Sequence, residues 1–154
     1  MWLIVLFIVL FLVATFFIWD AVAGLKRKWE RRRIFGLAKE RASETGKKLI
    51  VVGDPENGFA SQMTGMDYEY GDVCIDLTGC PGAPPFTLKV KDRLENYVSQ
   101  LPDNCCVLFI SCVLEYIDVL DDQLVKNLNR VSGGDLFVVK IESYAPSSRF
   151  YYGK

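Results

Sequence analysis

The sequence predicts an α/β fold: a small, doubly wound and mostly parallel sheet with helices on both faces, preceded by one transmembrane helix. Three observations predict it. An unbroken apolar segment begins the chain, short apolar runs typical of buried strands follow, and amphipathic segments separate the later runs. The clearest case is residues 101–142, where a strand, a helix, a glycine pair and a second strand follow one another. This order is typical of a βαβ crossover in a parallel sheet.

The apolar segment covers residues 2–19 and contains no charged residue. As a helix it would span roughly 27 Å, close to the thickness of a bilayer core. Trp2 and Trp19 stand at its two ends, as interfacial anchors do. A cleaved signal peptide, with the small residues at 21–23 as its cleavage site, is the alternative. Because the run is long for a signal peptide and no basic residue precedes it, we expect a retained anchor over residues 1–24.

Basic residues cluster directly after this segment. Residues 1–43 hold eight basic and three acidic side chains, a net charge of +5, whereas residues 44–154 hold ten and sixteen, a net charge of −6. The positive-inside rule then predicts an N-terminus that is outside or lumenal and a soluble domain on the cytosolic side, or on the equivalent side of an organelle or virion membrane. The basic residues from Lys26 to Arg33 would contact the lipid bilayer through its anionic headgroups. The acidic domain argues against nucleic acid as a partner.

Residues 25–46 are predicted to form a basic helical stalk, which Thr45 and Gly46 end with a C-cap pattern. Two interpretations of this stalk stay open. It is either a solvated linker that faces lipid headgroups, which its basic composition favours, or a helix that docks on the domain or on a partner. Residues 47–154 are then enough for one core.

The five cysteines are predicted to be reduced, small apolar residues of the core. Their number is odd, no CxxC pair is present, and four lie in or beside predicted strands, which is typical of a reducing compartment. They are Cys74, Cys80, Cys105, Cys106 and Cys112. The chain has no histidine, which excludes a His-based triad, a His general base and a His-ligated metal site.

Within the domain, the sequence predicts four parallel strands and two helices. The strands cover residues 48–52, 72–77, 105–110 and 136–141, and the helices cover residues 88–101 and 121–131. Glycines and prolines between Leu77 and Leu88 predict turns there.

Three motifs surround the third and fourth of these strands. They are Leu101-Pro102-Asp103, Val113-Leu114-Glu115-Tyr116 and Arg130-Val131-Ser132-Gly133-Gly134. With them, residues 48–142 resemble class I S-adenosylmethionine-dependent methyltransferases of the small-molecule type, which have a Rossmann-like core. Relative to the seven strands of that family, the chain would lack one strand–helix unit between Leu77 and Leu88 and the closing antiparallel pair. The resemblance therefore implies a minimised domain.

The resemblance also implies an S-adenosylmethionine site at the carboxyl ends of the strands, where doubly wound sheets bind ligands. Its first loop is residues 53–58, with the sequence GDPENG. The family has a glycine-rich turn here that lets the backbone approach the cofactor's amino acid part. Gly53, Asp54 and Gly58 are the candidates. Since the loop has only two glycines, a tight structural turn is the alternative.

The second loop follows Asp76. The sequence Ile75-Asp76-Leu77-Thr78 resembles the family's acidic end of the second strand, which implies that Asp76 accepts hydrogen bonds from both ribose hydroxyls, with Leu77 beside it. The alternative is that Asp76 only caps the turn before Gly79.

The third loop follows the strand at 105–110. The resemblance implies that Ser111 and Cys112 contact the cofactor and that Glu115 and Tyr116 orient the substrate. The alternative is that the apolar residues of this loop belong to the core and that Glu115 is a solvated charge at a helix start. Methyl transfer requires positioning more than acid–base chemistry, so the absence of histidine does not exclude it. No catalytic residue is predicted.

Other chemistries have less support. The chain has no Walker, GxSxG or kinase motif. Asp118, Asp121 and Asp122 lie near a helix N-terminus, where the helix dipole explains them better than a cation does, so no metal site is predicted.

Three functions are compatible with these observations. The one that the sequence favours is a single-pass membrane-anchored, methyltransferase-like domain that has lost catalysis and acts as a binding or structural module. An active S-adenosylmethionine-dependent methyltransferase at a membrane surface is the first alternative. A scaffold subunit of a large membrane assembly or virion is the second.

Overall fold

The computed structural model describes residues 2–54, 69–111, 113, 114, 117 and 122–139. The elements in chain order are α1 (Trp2–Thr45), β1 (Lys48–Val52), β2 (Val73–Asp76), β3 (Leu88–Lys91), α2 (Leu94–Gln100), β4 (Cys106–Ser111), α3 (Asp122–Ser132) and β5 (Leu136–Val139). The five strands form one parallel sheet in the order β3-β2-β1-β4-β5. The predicted doubly wound α/β fold is confirmed.

The chain divides into two compact units, one that includes α1 up to Glu30 and one that comprises Arg31–Lys140. In the first, Trp2–Ala23 is a helical segment with a mean hydropathy of 2.9, and none of it is buried within the chain. It is long and apolar enough to cross a membrane. The predicted apolar anchor is therefore a single helix, as expected.

One face of the sheet, here called face A, carries the larger core. Ile50, Val52, Ile75, Leu108 and Ile110 alternate along the strands toward this face and are buried. The helices α2 and α3 cover them with the following residues: Leu94, Val98, Leu124, Leu128 and Val131. Because these helical residues recur every three or four positions, each helix presents an apolar stripe to the sheet.

The opposite face, face B, is covered by the last turns of α1. Phe35, Ala38 and Ala42 follow helical spacing and are buried against strand residues that include Val51 and Phe109. The rings of Phe35 and Phe109 pack edge to face, 5.3 Å apart. For these turns of α1 the docking interpretation holds, and the headgroup-facing interpretation is wrong because the residues lie in the core.

The prediction of a helix over residues 88–101 is wrong for its first third. Leu88–Lys91 is a strand that pairs with β2, and α2 begins only at Leu94. In this segment Val90 packs against the core of face A while Lys89 and Lys91 are exposed, an alternation that suits an edge strand. Asp92 separates the two elements, and its Oδ1 accepts a hydrogen bond from Arg93 N at 2.7 Å. Within the part of the chain that the structure describes, the sheet therefore has one strand more than predicted, and the described residues between β2 and β3 form turns, as expected.

The prediction that all cysteines are reduced is also wrong. Cys74 and Cys80 form a disulfide, with their Cα atoms 6.2 Å apart, whereas Cys105 and Cys106 are free. Cys74 lies on β2 and Cys80 follows a turn at Gly79, which folds the chain back over face B. This turn brings the two sulfur atoms together, and residue spacing alone does not reveal it. The fifth cysteine, Cys112, lies outside the described residues.

An ionic cluster fastens α1 to the amino ends of the strands, here called the amino edge. Asp135 accepts hydrogen bonds from Arg41 Nε at 2.7 Å and from Lys47 Nζ at 2.6 Å. Lys47 also donates to Asn104 Oδ1 at 2.5 Å. The two cations lower the pKa of Asp135 through these hydrogen bonds. Gly46, with φ +67°, ends α1 immediately before Lys47, as the C-cap pattern predicts.

Candidate functional site

The carboxyl ends of β1, β2 and β4 meet where the strand order reverses, and we call this the carboxyl edge. Gly53 follows β1 directly and has a φ of +93°. A Cβ at this position would lie 2.7 Å from Val113 Cγ2 and 2.9 Å from the carbonyl oxygen of Ser111. Gly53 is therefore required by the packing of its own loop against the end of β4, in addition to its backbone conformation.

Asp76 ends β2 and hydrogen-bonds to both neighbouring loops. Its Oδ1 accepts from Thr78 N at 2.7 Å and from Thr78 Oγ1 at 2.6 Å. Its Oδ2 accepts from Asp54 N, in the loop after β1, at 3.0 Å. The carboxylate thus caps the turn before Gly79, as the structural alternative predicted, and it also holds the first loop.

Tyr70 joins the first loop to the core of face B. Its hydroxyl donates to Asp54 Oδ1 at 2.8 Å, and its ring packs against Cys74, Cys80 and Ala83. The side chain and the backbone of Asp54 are both held by neighbours, because the amide donates to Asp76. No sequence motif points to Tyr70.

Ser111, at the end of β4, is bound by a residue of α1. Arg31 Nε donates to Ser111 Oγ at 2.9 Å, and Arg31 Nη1 forms an ion pair with Glu69 at 3.1 Å. The guanidinium carbon of Arg31 lies 5.3 Å from the ring centroid of Phe109, within the range of a cation–π contact. Arg31 lies one helical turn before Phe35, on the same stripe of α1. That spacing is the one sequence signal that could have located it here.

Glu69 is a partly buried carboxylate at this edge, and its pKa is shifted from the ordinary value. Burial of the side chain raises its pKa, and the nearby charges of Arg31 and Arg32 oppose that shift. Arg32 Nε lies 3.6 Å from Glu69 Oε1. The two arginines therefore stabilise a carboxylate that has partly lost its hydration.

The described residues of this edge offer hydrogen-bonding groups and charge, but no activated nucleophile. The thiol of Cys106 is buried in β4, and burial raises its pKa to about 12, which keeps it protonated at neutral pH. Among the residues that the structure describes, no group of three or more potential ligands could hold a metal ion. The described residues of this edge can therefore bind and orient a ligand.

The predicted site residues fall into two sets. Gly53, Asp54, Asp76 and Ser111 lie at the carboxyl edge, with Leu77 exposed in the turn beside Asp76. The other four lie outside the described residues; they are Gly58, Cys112, Glu115 and Tyr116. The structure thus brings together residues of the three predicted loops and adds Arg31, Glu69 and Tyr70 to them.

A shallow, open depression of about 330 Å³ lies at the amino edge, away from the predicted loops. Its lining includes Ala42, Gly46, Lys47 and Asp72. Lys47 is already paired with Asp135, and Asp72 Oδ2 accepts the amide of Leu49 at 2.7 Å. These groups have structural partners, so we do not assign this depression as the site.

In doubly wound sheets, ligands bind at the carboxyl edge near the point where the strand order reverses. Gly53, Asp76 and Ser111 surround this point in the present sheet. No protein-family model, curated protein or solved structure matches the chain.

Proposed function

We propose that the chain is a single-pass, membrane-anchored α/β domain with a methyltransferase-like sheet, which acts as a binding or structural module rather than as an enzyme. One observation carries this proposal. The carboxylate of Asp76, which would have to accept the ribose hydroxyls of a nucleoside cofactor, already accepts three hydrogen bonds from Asp54 and Thr78. A ribose that donates from both hydroxyls would have to replace or share at least one of these bonds, and it would then loosen a loop.

The neighbours of Asp76 support the same proposal. The space beside Gly53 is filled by Val113 and by the end of β4, so the glycine serves internal packing. Ser111 is hydrogen-bonded to Arg31. The polar groups at this edge thus stabilise the domain through contacts with one another.

An active S-adenosylmethionine-dependent methyltransferase is the second candidate, and the position of Asp76 favours it. This residue lies at the carboxyl end of β2, beside β1, where a doubly wound sheet places the carboxylate that binds ribose. A carboxylate oxygen has two acceptor positions, and Oδ2 uses one of them for Asp54 N. A single additional hydrogen bond from a ligand is compatible with this geometry.

Calorimetric titration of the full chain in detergent micelles with S-adenosylmethionine and S-adenosylhomocysteine separates the two candidates. The full chain is required because residues 35–42 of α1 belong to the core of the domain. We expect no binding heat at millimolar ligand. Micromolar binding that Asp76→Asn abolishes, and that the exposed control Asp103→Asn retains, would establish the enzyme alternative instead.

The membrane arrangement is a further part of the proposal. The basic residues from Lys26 to Arg33 support contact with anionic headgroups, although Arg31 is engaged by Ser111 and Glu69. The same cluster supports a domain on the cytosolic side. The disulfide weighs against that side, because disulfides persist mainly in oxidising compartments. Protease protection in sealed vesicles tests the orientation: a digested domain in inside-out vesicles supports the cytosolic side, and a protected domain excludes it.

A further inference from the structure

The disulfide between Cys74 and Cys80 lies directly next to the carboxyl edge. Both residues are fully buried on face B, where they pack with Ala83 and Tyr70. Their sequence separation is six residues. The loop that the bond closes contains Asp76, the residue that holds both neighbouring loops.

Tyr70 connects this disulfide to the first loop as well. Its ring packs on the disulfide cluster, and its hydroxyl holds Asp54 Oδ1 at 2.8 Å. Asp54 N in turn donates to Asp76 Oδ2 at 3.0 Å. The disulfide therefore acts on Asp76 by two routes, through the covalent loop and through Tyr70 and Asp54.

One residue of the closed loop has a backbone conformation that is unfavourable unless neighbouring contacts hold it. Cys80 has a φ of +50°, whereas the preceding Gly79, with a φ of +81°, adopts its conformation without strain. A residue with a side chain is disfavoured in the left-handed region because Cβ approaches the backbone. Two constraints hold Cys80 in this conformation. One is the disulfide, and the other is a hydrogen bond that Ala83 N donates to the carbonyl oxygen of Cys80 at 3.1 Å. Once the covalent constraint is removed, this strain favours opening of the loop.

We propose that the Cys74–Cys80 disulfide is a redox-sensitive clamp on the carboxyl edge. In the oxidised state the bond holds Asp54 and Asp76 in place. A dithiol reductant opens it in two exchanges. One thiolate of the reductant attacks one cysteine sulfur, forms a mixed disulfide with that cysteine and releases the other cysteine as a thiolate. The second thiol of the reductant, as a thiolate, then attacks the reductant's own sulfur in the mixed disulfide and releases the first cysteine. Two electrons and two protons pass to the protein, which gains two thiols, and the reductant leaves as its own disulfide.

The burial of both sulfur atoms determines how this clamp responds. Because neither sulfur is exposed, attack requires transient opening of the turn at Leu77, which is itself exposed. If the domain is the proposed binding module, the clamp would regulate what the carboxyl edge binds. Only this regulatory effect rests on the proposed function. The geometry of the clamp is independent of whether the edge binds a cofactor, a protein or nothing.

Hydrogen exchange of the full chain in micelles, with and without dithiothreitol, tests the clamp without any ligand. We expect the amides of Asp54, Thr78 and Ala83 to exchange at least tenfold faster after reduction, while those of residues 107–110 in β4 keep their rates. Oxidised glutathione should restore the slow exchange. Equal rates in the two states, or fast exchange that reoxidation does not reverse, would overturn the proposal. A failed cofactor titration would leave this result unaffected.

Two variants make the assignment specific. The double substitution Cys74→Ser with Cys80→Ser should show fast exchange at the three amides and no response to dithiothreitol. The matched control Cys105→Ser, which removes a free cysteine, should respond as the natural chain does. If the double variant does not fold, the natural chain provides the test. It is denatured without reductant and then alkylated, so that only free thiols take the label. Cys105 should then take the label and Cys74 and Cys80 should not, and labelling of that pair would exclude the clamp.

Discussion

The two edges of the sheet each depend on an aspartate, but the partners of the two aspartates differ. At the amino edge, Asp135 is 8% exposed and is paired with two cations, Arg41 and Lys47. At the carboxyl edge, Asp76 accepts hydrogen bonds from two backbone amides and one hydroxyl. The first aspartate fastens a helix by charge, and the second fastens two loops by neutral donors. An aspartate at the ligand-binding edge of such a sheet can therefore be engaged by the protein's own loops.

Glycine substitutions should give the largest difference between the two edges in the free energy of unfolding. Gly53→Ala places a Cβ at 2.7 Å from Val113 Cγ2 in a backbone with φ +93°, so we expect a loss of about 3 kcal/mol from strain and overpacking together. Gly46→Ala has no heavy atom within 4 Å of the new Cβ, so the backbone conformation alone should cost about 1 kcal/mol. Urea unfolding followed by near-ultraviolet circular dichroism measures both. Equal losses would contradict the crowding of the carboxyl edge.

Removal of the amino-edge aspartate should have the next largest effect. Asp135→Ala leaves Lys47 and Arg41 without their shared carboxylate, and we expect a loss of about 2 kcal/mol, between the values typical of exposed and buried pairs. Asp103, which pairs with Arg130, is the matched control because its side chain is 76% exposed. Asp103→Ala should change the free energy of unfolding by less than about 1 kcal/mol. Similar losses for both variants would show that Asp135 is only a surface charge.

The same aspartate should make stability depend on pH. Its folded-state pKa is lowered from the ordinary value of 3.8 by hydrogen bonds from Lys47 and Arg41. The stabilisation is therefore fully present above that ordinary pKa and is lost as the pH falls through the lowered pKa. The stability difference between the natural chain and Asp135→Asn should shrink as the pH falls below about 4. A difference that stays constant from pH 6 to pH 3 would contradict the pairing.

The carboxyl-edge aspartate should have the smallest effect on stability. Asp76→Ala removes the acceptor for Asp54 and Thr78, whose loops lie at the surface, so we expect a loss of about 1 kcal/mol. Asp76→Asn keeps one carbonyl acceptor and should lose less. Urea unfolding of the two variants in parallel checks this order. An unchanged free energy of unfolding in Asp76→Ala would mean that the three hydrogen bonds do not hold the loops.

The sequence predicts secondary structure correctly where the local pattern of apolar residues determines it. The run Lys48–Val52 and the stripe of Leu124, Leu128 and Val131 became a buried strand and an amphipathic helix, as predicted. The segment Leu88–Lys91 could not be assigned in the same way, because Leu88 and Lys91 also continue the three- and four-residue spacing that leads to Leu94 and predicts a helix. Its pairing with β2 decides the outcome.

The site was predicted in part for a related reason. Asp76 and Ser111 each follow an apolar strand, so their place at the carboxyl edge follows from the fold. Their partners do not, since Arg31 reaches Ser111 across 80 residues of chain. The contact arises because α1 packs on face B. The disulfide likewise depends on a turn that folds Cys80 back over β2, which is a property of the tertiary structure.

The proposed function depends on the occupation of Asp76 by the protein's own hydrogen-bond donors. Amide correlation spectra of the isotope-labelled full chain in micelles, titrated with S-adenosylhomocysteine to millimolar concentration, test it most directly. The amides of Asp54 and Thr78 report on the two hydrogen-bonded loops, and the amide of Gly46 serves as the control at the amino edge. We predict that all three signals stay in place. Saturable shifts of Asp54 and Thr78 alone, lost in Asp76→Asn, would contradict the claim and identify the edge as a cofactor site.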